Sequence, residues 1–141
     1  MLFRSITVNP TPNAVATPAT QTICSGSAIT AIAITGNVPT AVYNWTRDNT
    51  ATVTGIAASG SGASISGSLT NTTAAPITVT FTITPSYTNA GVTCTGTPVT
   101  ATVVVNPIPN AVATPASQTA CSGIAITTIA LTGNVAGTVY N

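Results

Sequence analysis

Ile77 to Thr84 reads ITVTFTIT, with an apolar residue at every odd position and threonine at every even one. Successive side chains of an extended chain point to opposite faces, so Ile77, Val79, Phe81 and Ile83 share one face and four threonines the other. Strict period-two alternation predicts a half-buried strand. Downstream, Pro98 to Val105 alternates again through Val99, Ala101, Val103 and Val105. Upstream, Ala41 to Thr46 puts Tyr43 and Trp45 on one face, and Ala28 to Thr35 does the same with Ile32 and Ile34. The stretch from Ala51 to Leu69 is softer, with Val53, Ile56, Ile65 and Leu69 set among glycine and serine, and predicts two short strands.

Turn chemistry separates these runs. Gly36-Asn37 tolerates positive φ, Arg47-Asp48-Asn49 is polar, and Pro85 to Gly96 is expected to turn the chain. Asn9 to Pro18 carries three prolines in ten residues and is expected to be an extended, semi-rigid segment between domains. Six to eight short strands with no helical periodicity predict an all-β, immunoglobulin-like Greek-key sandwich.

Composition narrows the function classes. Arg4, Arg47 and Asp48 are the only charged residues among 141, for a net charge of +1. A chain with no basic stripe cannot neutralise phosphates, which argues against nucleic-acid binding. Solvation must come from hydroxyls and amides instead, and threonine alone occurs 31 times. Histidine, lysine and glutamate are absent, so no serine or threonine has a neighbouring base to activate it, and Asp48 is the sole carboxylate. No enzyme activity is expected. No cofactor or metal site is expected either: calcium wants several carboxylates, and the three cysteines lack zinc-ligand spacing. Thr, Ser, Asn, Gly or Pro interrupts every apolar run well short of about 18 residues, so no membrane insertion is expected.

The chain also repeats itself. Val8 to Gly26, VNPTPNAVATPATQTICSG, returns 97 residues later as Val105 to Gly123, VNPIPNAVATPASQTACSG. The match extends without a gap to Asn44 and Asn141, with nine of 37 pairs differing. A unit of 97 residues is the size of one sandwich. Ile6-Thr7-Val8-Asn9-Pro10 matches Val103 to Pro107, the end of the unit's last strand, and MLFRSITVNP has no apolar core of a signal peptide. The expected organisation is a remnant of a preceding repeat at 1–8, a complete sandwich at 9–106, and a truncated next copy of about three strands at 107–141. The whole reads as a piece of a longer tandem array.

The run VNPIPNAVATPASQTACSG, the TGNV strand, the YNW strand and the closing TCTGTPVTATVVVNP together resemble the PKD-like, immunoglobulin-like repeats of Bacteroidota surface proteins. Such repeats form long arrays, often in gliding-motility or type 9-secreted proteins. Trp45-Thr46-Arg47-Asp48-Asn49 stands where standard PKD domains carry an acidic Trp-Asp-Phe-Gly-Asp motif. The resemblance implies an extracellular, cell-surface, non-catalytic repeat acting as spacer, stalk or adhesive element. Its partners would be neighbouring repeats, and surface glycans or other cell-surface proteins.

In that extracellular setting two cysteines per unit read as one disulfide. Cys24 in CSG and Cys94 in CTG form the expected pair, leaving Cys121 unpaired. First and last hairpins of a sandwich lie at opposite ends, so the alternative joins each CSG cysteine to the CTG cysteine of the following repeat. Free buried thiols are the third possibility. Trp45 is expected as the core anchor and Tyr87 as a possible ligand contact. Asn44-Trp45-Thr46 and Asn71-Thr72-Thr73 fit the N-glycosylation pattern. Two other function classes remain: a carbohydrate-binding module, favoured by an exposed Trp45 or Tyr87, and a filament subunit self-assembling by strand exchange through unpaired edges of the second copy.

Overall fold

A computed structural model describes residues 4–141, and among them every regular element is a strand. Met1, Leu2 and Phe3, the first part of the expected remnant at 1–8, lie outside the described residues. The first unit opens with β1 (Val15–Thr17), β2 (Thr20–Cys24), β3 (Ile32–Thr35) and β4 (Val42–Arg47). Four short strands follow: β5 (Val53–Gly55), β6 (Ser59–Ser61), β7 (Ser64–Ile65) and β8 (Leu69–Asn71). The long β9 (Ile77–Asn89), β10 (Val92–Thr95) and β11 (Val99–Asn106) close the unit. The second copy contributes β12 (Val112–Thr114) and β13 (Ala130–Thr132).

Strands β2-β11-β9-β4-β6, with β10 also paired to β9, form the larger sheet. The smaller layer is β1-β3-β7 together with the β5-β8 pair. Alternation decides what each layer buries. Val79, Phe81 and Ile83 of β9, Ala101, Val103 and Val105 of β11, and Tyr43 and Trp45 of β4 meet Ile32, Ile34, Val53, Ile65 and Leu69 from the other side. Each fully buried Phe, Ile, Leu or Val contributes about 1.5–3 kcal/mol over its exposed state. This is the expected immunoglobulin-like sandwich. The first strand is divided between layers: β1 pairs antiparallel with β3, and β2 pairs parallel with β11. A cis Thr17–Pro18 peptide lies between the two, and cis Thr114–Pro115 repeats it in the second copy.

Three sequence expectations need correction. Asn9 to Pro18 is more than a linker, because Pro12 and Ala14 are buried and Val15–Thr17 is paired in a sheet. Ala51 to Leu69 holds β5, β6, β7 and the start of β8, not two strands, punctuated by Gly55, Gly62 and Gly67 at positive φ. Pro85 to Gly96 is not a turn region but the continuation of β9 into a tight hairpin with β10. The reversal is confined to Ala90 and Gly91, at φ 51° and 77°. Proline normally ends a central strand for want of an N–H. Here Ile83 pairs with Val99 and Ser86 with Thr95, so two β9 residues face three across the ladder. That bulge falls at Pro85, where β9 passes from β11 to β10 and no amide donor is needed.

The second copy keeps β12–β13, the counterpart of β1–β3, rather than about three strands. The segments matching β2 and β4 are not strands, since both depend on β9 and β11 for pairing. Local polar clamps survive in both copies. Asn13 and Asn37 each accept the other's backbone N–H at 2.8 Å, as Asn110 and Asn134 do at 2.9 Å. The Gln21–Thr30 and Gln118–Thr127 pairs also match.

Candidate interaction surface and cysteine positions

Trp45 is buried in the core, its ring 5.9 Å from that of Phe81 in an edge-to-face arrangement at 68°. It packs against Gly60, its cross-strand partner, and its indole Nε1 has no hydrogen-bond partner among the described residues. An indole held this way offers no stacking face to a sugar. Tyr43 is buried beside it on β4. Tyr87 is half-buried and lies on β9 opposite Cys94, not in a loop.

Two of the three charged residues, Arg47 and Asp48, are engaged in structure. Arg47 Nε donates to the carbonyls of Ile56 at 2.7 Å and Ala57 at 3.2 Å, and Nη1 to that of Asp48 at 3.3 Å. Partial burial pushes the guanidinium's pKa down, and Asp48 partly opposes this. Asp48 Oδ1 accepts the Thr80 N–H at 2.7 Å, across the top of the β4–β9 pairing. Among the described residues no group of three or more His, Cys, Asp or Glu side chains comes together. Nor is any helix there long and apolar enough to cross a membrane. Of the two glycosylation patterns, Asn71 is buried and its side chain is occupied by Ala75 and Val105 carbonyls, so only Asn44 is exposed.

Much of what the larger sheet presents outward is hydroxyl, beside Val42 and Asn44 of β4. Register aligns Thr46, Thr82 and Thr100 in one row across β4, β9 and β11, and Thr80, Thr102 and Thr20 in another across β9, β11 and β2. Neighbours in a row stand about 5 Å apart. Each offers a donor, two acceptor lone pairs and a methyl group without charge. That surface suits hydrogen bonding to polar, uncharged partners.

Two open clefts occur elsewhere. One, of about 420 Å³, is lined by Pro109, Asn110, Ala111, Leu131 and residues 138–141. Its counterparts in the first unit include Pro12 and Tyr43, which there lie against Gly96 and Pro85. In the first unit the equivalent surface is covered by β9 and by Gly96, the residue after β10. The other, of about 440 Å³, lies where Ala74, Ala75 and Pro76 of the first unit face Pro107, Pro109, Val135 and Ala136 of the second.

All three cysteines are free thiols, Cys24 and Cys121 exposed and Cys94 half-buried. The expected Cys24–Cys94 bridge is corrected by the sheet register. Cys24 pairs with Asn106, one residue beyond the Val105–Ile77 pair, and Cys94 pairs with Tyr87. Ile77 and Tyr87 are ten residues apart on β9, about 33 Å of strand, and Cys24 lies one residue further still. A disulfide needs Cα atoms about 6 Å apart. The two thiols sit at opposite ends of the sandwich.

Among curated proteins and solved structures, none matches the chain. A family model described as PKD-like domain matches residues 21–109, from β2 through the end of β11. Such domains are typically extracellular and generally without catalytic activity. On the strength of that match, covering more than half of its length and nearly all of the sandwich after β1, the chain belongs to the PKD-like domain family.

Proposed function

We propose that this chain is a structural repeat of a large bacterial surface protein, extending or spacing more distal parts and adhering through its threonine-faced sheet. One observation carries the spacer reading. The first unit begins at one end of the sandwich and finishes at the other: Asn9 bonds Asn89 at the β9–β10 hairpin, and Asn106 lies at the Cys24 end. Successive copies therefore stack head to tail, each adding about 40 Å, the length of β9 at about 3.3 Å per residue. The motif resemblance to Bacteroidota gliding-motility repeats supports placing such an array on the outside of the cell. X-ray scattering on concatemers of one, two and three units tests the idea. The expected maximum dimension grows by about 40 Å per unit, and a maximum dimension that stays nearly constant overturns it.

Adhesion is favoured by the uncharged hydroxyl rows, and glycan arrays measure it. Binding that disappears when Thr82 and Thr100 become alanine supports that face as the contact.

A further inference from the structure

We propose that consecutive units are covalently stapled by a disulfide from the CSG cysteine of one unit to the CTG cysteine of the next. The inference rests on the head-to-tail reading and adds a bond that the spacer function does not require.

The argument turns on one residue that has two neighbourhoods. Asn106 closes β11 and is the parallel-register partner of Cys24, and the next amide, of Ser25, donates to its carbonyl at 2.8 Å. In the 97-residue repeat the same position recurs as Asn9, which begins the following unit. Asn9 and Asn89 are joined by two hydrogen bonds, Asn89 Nδ2 to Asn9 Oδ1 at 2.8 Å and Asn9 Nδ2 to the Asn89 carbonyl at 3.4 Å. The single asparagine thus has a CSG cysteine beside it in its own unit and the β9–β10 hairpin beside it in the next.

Cys94 lies on that hairpin, on the side the linker crosses. Its cross-strand partner Tyr87 continues the inward series of Phe81, Ile83 and Pro85. Val92, two residues before Cys94, pairs with Asn89, and Gly96, two residues after, abuts the Pro12 carbonyl. The segment from Asn9 to Pro12 therefore runs along the hairpin past Cys94, which explains its partial burial. Both thiols lie at the same junction, one from each unit, whereas within a unit they lie at opposite ends. A half-buried thiol and an exposed one, separated only by a shared linker, are placed for pairing once two complete units are joined.

The chemistry is thiol–disulfide exchange with an external disulfide, either oxidised glutathione or the disulfide of an oxidoreductase. The exposed Cys24 thiolate attacks that disulfide, forming a mixed disulfide and releasing one thiol. The Cys94 thiolate of the next unit then attacks the Cys24 sulfur and releases the second thiol. Two protein thiols are oxidised, one external disulfide is reduced to two thiols, and the proton of each protein thiol passes to solvent or to a departing thiolate.

The test lengthens the chain after Asn141 by a second copy of residues 45–106, which completes the second unit. Cys94→Ser in the first unit and Cys121→Ser leave two thiols, Cys24 and the appended copy of Cys94. After oxidation with glutathione disulfide, non-reducing peptide mapping is expected to find them in one intramolecular disulfide. Scattering on the reduced protein reports the head-to-tail length separately, so loss of the staple and loss of the array are distinguishable. Two reactive thiols in a chain whose tryptophans are both buried overturn the proposal. If the lengthened chain does not fold, Asn9→Cys, Pro10→Cys and Thr11→Cys are made singly in the existing chain with Cys24→Ser and Cys121→Ser. At least one is expected to close onto Cys94, and closure by none overturns the proposal.

Discussion

Trp45 lies directly across the sheet from Gly60, with the indole occupying the space a side chain at residue 60 would need. Any Cβ there meets the Trp45 ring, so the strand bearing the glycine and the strand bearing the tryptophan are mutually dependent. Gly60→Val is expected to destabilise the first unit by about 1–3 kcal/mol through overpacking. Trp45→Ala is expected to cost about 3–5 kcal/mol through the cavity it leaves. Urea unfolding followed by far-ultraviolet circular dichroism measures both. A Gly60→Val protein as stable as the parent would mean that β6 simply moves aside.

Asn71 ties three parts of the unit together. Its backbone amide donates to Ser25 Oγ at 2.9 Å, its Nδ2 donates to the Val105 and Ala75 carbonyls, and its Oδ1 accepts from Thr73. Asn71→Ala leaves the buried Val105 carbonyl without that side-chain donor and frees the Thr73 turn. The expected loss is about 1–3 kcal/mol, read from the urea midpoint with an unchanged slope. Asn71→Asp is expected to be no better, because its carboxylate cannot donate to either carbonyl.

The two copies should differ sharply in resistance to protease. Ile32 is fully buried, whereas its counterpart Ile129 is 45% exposed. Limited digestion is expected to cut within 107–141 first and leave a fragment ending near Pro107, identified by mass spectrometry. Early cleavage between β5 and β8 instead would show that the first unit is the weaker one.

Thiol chemistry should follow position. Cys24 and Cys121 are exposed and are expected to react with a thiol reagent ahead of the half-buried Cys94. Because the register keeps Cys24 and Cys94 apart, reducing agent is expected to leave the melting temperature of this chain unchanged. A drop of several degrees on reduction would point to a bridge the sheet register forbids.

The hydroxyl face and the buried face of β9 are both written in ITVTFTIT, and Trp45 and Tyr43 fall on the inward side as their spacing requires. The hydroxyl rows themselves were not legible, because a row needs the register between β4, β9, β11 and β2. Tyr87 read as a loop residue because Pro85 signals a break. Only a bulge in the partner strand, which no local pattern announces, allows β9 to continue through it.

The amino-acid sequence by itself determined the strand period, the 97-residue unit, the lack of histidine, lysine and glutamate, and the placing of Ile32 and Ile34 on one face. These are local or self-referential properties, set by alternation and by comparing the chain with itself. Tertiary structure alone decided that β2 joins β11 in parallel, and with it that Cys24 and Cys94 occupy opposite ends. Strand pairing is made between segments some 80 residues apart. Its register is chosen by the packing of two whole layers, and no single stretch contains that information.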